Sequence, residues 1–407
     1  MTDGALIYTL SEGAASISDS AGNILFYTGP TQPNICTVFD ASHDTMMNGD
    51  SLDCGFSSTQ SVTIVPKPNS CDIYYIFTTA HECESDGLKY SEVDMSLNGG
   101  LGAVTVKNIP LYTPAAEKVA AVKHANGTDY WLVAHQCLSD TFLVYLITNA
   151  GVSPVPVKTG IGSVHENIGH GQLKFYTDGS KLANPIQSID TVDLFDFDKS
   201  NGAISNAMSF DFSFNTQPYG AEFSPDQSKL YVGVLGPSLI WQFDLTAGNQ
   251  AAINASKTLI GSTIATGRAN HLQLGPDNKI YIAKSGNGYL AVINDPDSLG
   301  AACNFVENGF FLSGKLSRRG LPAIIPGYFG CGTAEGVEDI DSNAEITIYP
   351  NPTTGIFTVQ GEREIEVYDL FGRLVLRSNK SQIDMGSYPK GIYIVRAGEA
   401  VRKLILR

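Results

Sequence analysis

The sequence has 407 residues, with 41 acidic against 26 basic side chains and a net charge of −15, a balance that repels a phosphate backbone and excludes nucleic acid as a partner. No apolar run approaches the roughly 18 residues of a membrane helix, so no membrane span is expected. Charged residues make up only 16%, and 41 glycines and 19 prolines punctuate the chain, which points to a turn-rich, all-β protein.

The start, Met1-Thr2-Asp3-Gly4, runs straight into β-type alternation without a basic n-region or an apolar h-region, so an export signal is expected to be missing from this sequence. Then one phrase recurs: an apolar strand, a tight turn of Pro, Asp, Asn and Gly, and an apolar-aromatic strand. Copies lie at 15–27, 61–77, 119–133, 171–183, 221–232 and 272–282, the last two in register through Pro225-Asp226 and Pro276-Asp277. Taking Leu25, Ile73, Tyr130, Leu182, Leu230 and Ile280 as equivalent gives steps of roughly 48 to 57 residues, the period of four-stranded propeller blades. The apolar stretch 320–329 suggests a seventh blade whose partner strands lie upstream of Met1, leaving a defective closure. The expectation is therefore a seven-bladed β-propeller over 1–332, incomplete at its N-terminus.

Residues 333–343 are polar and acidic, as a linker should be. Residues 344–407 read as short strands between turns, a small immunoglobulin-like β-sandwich. This tail carries nine basic and seven acidic groups, a net +2 against −17 for the remainder.

Ser16-Ile17-Ser18-Asp19 with Gly22-Asn23-Ile24-Leu25-Phe26-Tyr27, the Met47-Asn48-Gly49 turn, Ser58-Thr59-Gln60-Ser61 leading to Ile64-Val65-Pro66-Lys67-Pro68, and Tyr90-Ser91-Glu92-Val93-Asp94-Met95 resemble a family of secreted bacterial β-propellers with C-terminal sorting domains. The tail itself resembles the type A sorting domain of the type IX (Por) secretion system. Its opening matches at Pro350, Asn351, Pro352 and Gly355, and its central turn at Asp369, Leu370, Gly372 and Arg373. Gly391 and Tyr393 and the basic end at Arg402 and Lys403 complete the set. The resemblance implies export through the type IX machinery to the outside or outer surface of a Gram-negative cell, with the tail recognised and usually removed. It implies no chemistry.

Seven cysteines, none in a C-x-x-C pair, argue against structural zinc and for an oxidising, extracytoplasmic setting. Loop placement suggests bridges Cys36–Cys54 and Cys83–Cys137, a weaker Cys303–Cys331 pair, and an unpaired Cys71. Catalytic motifs are weak. His165-Glu166 with His170 is one residue too long for a zincin helix. Asp196, Asp198, Asn201 and Gly202 hint at a calcium loop but place the glycine late and lack the bidentate Glu, and Asp295-Pro296-Asp297 reads as a turn. No cofactor or metal is expected.

Propeller geometry places the loops entering the inner strands on one face, and these carry Gln60, His170, Tyr219, Arg268, Asn270 and His271, with Arg318 and Arg319 before the last strand. Such polar and aromatic groups suit a sugar or peptide, although each could equally satisfy loop backbone. The expected function is a monomeric secreted or surface binding or adhesion module for a glycan or protein. The alternative is a hydrolase or lyase at the same channel mouth.

Overall fold

The computed structural model describes residues 12–165, 169–263, 269–328, 330, 347–360, 364–369, 374–398 and 400–407. Its contacts divide the chain into two compact units, Met1–Cys331 and Gly332–Arg407.

The first unit is a β-propeller. Blade 1 comprises β1 (Ala14–Ser18), β2 (Ile24–Gln32), β3 (Ile35–Asp40) and β4 (Leu52–Asp53). Blade 2 comprises β5 (Val62–Pro66), β6 (Ile73–Thr79), β7 (Leu88–Asp94) and β8 (Ala103–Tyr112). Blade 3 has β9 (Ala115–Lys123), β10 (Tyr130–Gln136) and β11 (Thr141–Thr148), with β12 (Gly151–Val152) and β13 (Val157–Gly160) both pairing with β11. Blade 4 is β14 (Lys174–Phe175), β15 (Lys181–Ile186), β16 (Thr191–Asp198) and β17 (Ala203–Asp211). Blade 5 is β18 (Pro218–Phe223), β19 (Lys229–Val234), β20 (Leu239–Asp244) and β21 (Thr258–Ser262), and blade 6 is β22 (Ala269–Leu274), β23 (Ile280–Lys284), β24 (Tyr289–Ile293) and β25 (Phe305–Phe311). Each sheet is antiparallel in chain order.

Hairpin chemistry accounts for the repeated phrase. In the blade 1 turn, Asp19 Oδ1 accepts from the N–H groups of Ala21 and Asn23 at 3.0 and 2.8 Å, and Gly22 takes φ 86°. The equivalent turn of blade 5 uses Asp226 Oδ1 on Ser228 N–H at 2.9 Å. Strand alternation then divides side chains between two neighbours. From β6, Tyr74 and Ile76 pack in a cluster shared with blade 1, while Tyr75 and Phe77 pack in a cluster shared with blade 3. From β10, Leu132 and Ala134 face blade 2, and Trp131 and Val133 face blade 4. Second strands are thus apolar on both faces because each is buried on both.

The stretch expected to open a seventh blade pairs with blade 1 instead. Six blade sheets are present among the described residues, and the stretch read as a seventh inner strand contributes β26 (Pro322–Ala323), which pairs parallel with β1 as a fifth strand of blade 1. Pro322 and Pro326 lack the N–H groups that a longer ladder needs, so the segment adds two residues and leaves the sheet. Among the described residues this short pairing links the end of the propeller to blade 1, and Phe310 and Phe311 of blade 6 stay exposed.

In the second unit, β27 (Ile348–Tyr349), β28 (Ile356–Val359) and β31 (Gln382–Asp384) form one sheet. The other sheet runs β30 (Leu374–Ser378), β29 (Ile365–Tyr368), β32 (Gly391–Ala397), β33 (Ala400–Leu406). Phe357, Val359, Val367, Met385, Val395 and Leu404 are among the side chains buried between them.

Candidate binding site

The segments entering the inner strands are tied to one another across the ring. Gln60, just before β5, donates from Nε2 to the Leu173 carbonyl at 3.1 Å and accepts Leu173 N–H on Oε1 at 2.8 Å. Gln172, just before β14, accepts from the N–H groups of Ala221 and Leu272, both at 3.2 Å. Lys174 lies 2.7 Å from Glu222 and donates to Gln273 Oε1 at 3.0 Å. These cross-links leave a central cavity of only about 30 Å³, lined by Gln60, Gln172, Lys174, His271 and Leu321 among others. The middle of the ring is filled by its own polar side chains.

Two buried carboxylates sit among these entry segments. Glu12 accepts the hydroxyl of Tyr219 and, at 3.0 Å, that of Ser57, and lies 3.6 Å from Arg319 Nη1. Glu117 has a fully buried side chain, accepts Thr59 N–H at 3.0 Å and pairs with His170 Nε2. Burial pushes the Glu117 carboxyl up, against the pull of His170. Burial alone would lower His170, but the Glu117 carboxylate and the Gln187 carbonyl outweigh it and hold the imidazole above its ordinary value. Nδ1 of His170 faces Gln187 Oε1 at 2.6 Å, so both ring nitrogens face protein groups.

His170 forms one wall of a cleft of about 290 Å³ whose other lining residues are Gln187, Ser188, Asp190, Phe214, Asn215 and Gln217. The turn between β15 and β16 supplies the first three of these and the connection from β17 to β18 the rest. Asp190 builds the rim: its carboxylate accepts Asn215 N–H at 2.7 Å and Gln217 N–H at 2.6 Å. Asp190, Asn215 and Gln217 all take left-handed φ values, 53°, 67° and 58°. Three non-glycine residues in that region around one cleft is the kind of stored backbone strain that accompanies functional sites. The Phe214 ring stands 97% exposed.

Of the residues singled out from sequence, Gln60, Tyr219 and His271 are buried and hold neighbouring segments, with His271 Nδ1 accepting Leu321 N–H at 3.3 Å. Burial lowers the His271 imidazole to about 4. His170 reaches the cleft. Arg319 is half exposed beside Glu12, and Arg318 is exposed. Arg268 lies outside the described residues; Asn270 falls within β22. Phe214 and the amides of the rim were missed, although an aromatic inside the polar run Ser213-Phe214-Asn215-Thr216 is a readable signal.

His165 and His170, read together as a near-zincin, go to different places. His165 is buried and stacks on His135 with ring centroids 3.7 Å apart. Asn184 Nδ2 contacts His165 Nε2 at 3.1 Å, and Asn184 Oδ1 accepts Lys118 Nζ at 2.7 Å. Glu166 lies outside the described residues. Asp196 is engaged by Lys181 and Asn206, Asp198 caps its own turn through Ser200 N–H at 2.8 Å, and Asp297 accepts Asp226 N–H at 3.0 Å.

Disulfides join Cys36 to Cys54 and Cys83 to Cys137, with Cα separations of 5.7 and 5.9 Å. Two expectations are corrected: Cys71 is disulfide-bonded, and Cys303 is a free, buried thiol. Cys303 sits among Tyr231, Ile240, Ile282 and Ile293 in the core between blades 5 and 6, which removes it from any bridge. Cys331 and the acidic linker lie outside the described residues.

In the tail, the Pro-Asn-Pro opening grips the last strand. Asn351 Nδ2 donates to the Lys403 carbonyl at 2.6 Å and Oδ1 accepts Ile405 N–H at 2.9 Å, and the Pro350 and Pro352 peptide bonds are both cis. Gly355 N–H donates to Thr353 Oγ1 at 3.1 Å. Gly391 pairs with Leu406, and the Tyr393 hydroxyl donates to the Pro389 carbonyl at 2.5 Å. Arg402 and Lys403 pair with Val395 and Ile394, and Asp369 directly follows β29. Leu370, Gly372 and Arg373 lie outside the described residues.

Residues 347–407 match the model of a secretion system C-terminal sorting domain. No curated protein matches the sequence significantly. Similar solved structures include a candidate 6-phosphogluconolactonase from Bacteroides fragilis, at 12% identity over 94% of this chain and 97% of that one with TM-score 0.47. Virginiamycin B lyase from Staphylococcus aureus matches at 12% identity over 70% and 81%, TM-score 0.42. The Swd1 β-propeller domain from Myceliophteria thermophila matches at 10% over 66% and 79%, TM-score 0.40. None of these likenesses carries an activity to this chain.

Proposed function

We infer that this chain, a propeller bearing a secretion-system C-terminal sorting domain, is an exported binding module whose ligand sits in the cleft between the β15–β16 turn and the β17–β18 connection. The tail directs it to the cell surface or the extracellular space. The observation that carries the binding reading is Phe214, an almost fully exposed aromatic residue among those lining a polar cleft. An isolated aromatic is costly to leave in water, and a rim fixed by Asp190 limits the entropy lost on binding.

A hydrolase or lyase reading has one observation in its favour, the Glu117–His170 pair at the cleft wall. Against it, Glu117 is fully buried and both nitrogens of His170 face protein acceptors, so neither group offers a site for proton transfer to a substrate. The test is a glycan and peptide array probed with the full chain and with Phe214→Ala, with mass spectrometry of each captured ligand. Retention of an unchanged ligand that Phe214→Ala abolishes supports binding. Chemical conversion abolished by Glu117→Gln would replace it with catalysis.

A further inference from the structure

We propose that the ligand of this cleft is a neutral glycan, one pyranose of which stacks on Phe214; this rests on the binding reading above. The argument runs through the charges. The cleft is lined by one imidazole and one carboxylate, and the protein already engages both. His170 directs its two ring nitrogens to Glu117 and Gln187. Asp190 directs its two oxygens to the N–H groups of Asn215 and Gln217. A carboxylate-bearing ligand therefore meets no uncommitted imidazole N–H, and an ammonium-bearing ligand meets a carboxylate that already accepts two backbone N–H groups. Desolvating either against such a wall is unfavourable.

What the lining does present is the Ser188 hydroxyl, the side-chain amides of Asn215 and Gln217, and the ring of Phe214. Hydroxyls and amides both donate and accept, matching the hydroxyl groups around a sugar, each of which also does both. An exposed aromatic face matches the apolar C–H face of a pyranose. A volume of about 290 Å³ is at the small end for ligand pockets and suits one or two sugar rings rather than a folded peptide. The net charge of −15 adds long-range repulsion against acidic polysaccharides.

Isothermal titration calorimetry on the full chain tests this with neutral trisaccharides (cellotriose, maltotriose, mannotriose, chitotriose), with trigalacturonate, and with acidic and basic tripeptides. A neutral trisaccharide should bind, and Phe214→Ala should weaken it about tenfold, the upper range for one aromatic contact. Gln217→Leu should also weaken it, and raising salt to about 0.5 M should leave the affinity within about twofold. Phe214 is exposed, so the alanine variant should keep the wild-type melting temperature. Phe214-dependent binding of trigalacturonate or a tripeptide in preference to every neutral sugar would overturn the ligand class while leaving the cleft as the site. Binding indifferent to both substitutions, or no binding by any probe, would overturn the binding reading itself.

Discussion

Lys118 is buried completely between blades 3 and 4, where its ammonium donates to Asn184 Oδ1 and the Pro185 carbonyl beside the stacked rings of His135 and His165. Burial lowers its pKa from 10.5 to about 7, with Asp193 and Glu117 opposing that shift. The lysine is thus charged in the unfolded chain and largely neutral in the folded one between those two values. The unfolded state binds more protons there, so stability rises with pH by about 1.4 kcal/mol per unit. From pH 7.5 to 9.5 this one group should add about 2.5 kcal/mol, before the tyrosines begin to titrate. Lys118→Met removes that dependence but leaves two carbonyl oxygens without their donor, at about 1 to 3 kcal/mol each. The variant should lie close to wild type at pH 7.5, where the lysine is costly, and fall about 2.5 kcal/mol behind by pH 9.5. Urea denaturation of both proteins across that range reads the difference, and every other titrating group cancels in it. Parallel profiles would mean that Lys118 keeps its proton on folding, and the account of the cluster would be wrong.

NMR titration of His170 should give a pKa above 6.5, and Glu117→Gln should bring it below 6.5, because burial then dominates. Correspondingly, the stabilisation from His170 is complete below pH 6.5 and is lost as pH rises through its folded value, so the stability gap between wild type and Glu117→Gln should narrow at alkaline pH. Cys83→Ser with Cys137→Ser opens a bridge of sequence separation 54 and should cost about 4 kcal/mol in guanidinium unfolding. A loss under about 1 kcal/mol would show that the unfolded chain already keeps those two loops close without the bridge. Deleting residues 344–407 should leave a folded propeller in the periplasm; its arrival at the cell surface, assayed by fractionation, would refute the role given to the tail.

Much of the fold is legible because hairpins are local. Asp19, Asp226 and Asp277 each announce a turn through bonds to residues two or four further on, and the alternation of Tyr74, Tyr75, Ile76 and Phe77 follows from pleat geometry alone. The pairing of Ala14 with Pro322 is a contact across some 300 residues of chain, invisible to any window of sequence. The site was half legible for a related reason. Entry loops can be located by counting strands, but whether a polar side chain there faces solvent or a neighbouring backbone depends on the opposite side of the ring. Gln60 and Tyr219 turned inward, whereas His170 turned to the cleft. Phe214 was overlooked because a phenylalanine reads as core until its exposure is seen. Cys71 and Cys303 exchanged roles since bridging depends on distances that loop labels do not carry.

The two-residue latch of β26 on β1 also has a consequence in time. Every blade can form as soon as its own hairpins have been synthesised, whereas the latch joins the first strand to the last segment before the tail. Until Pro322 and Ala323 exist, the inner edge of blade 1 has unpaired backbone and invites association with other strands. Nearly the whole propeller must also be held in one arc before this most distant contact can form, which makes it the slowest step of assembly. A product truncated only a few residues short of β26 keeps all six blade sheets yet lacks the contact that ties the end of the propeller to β1.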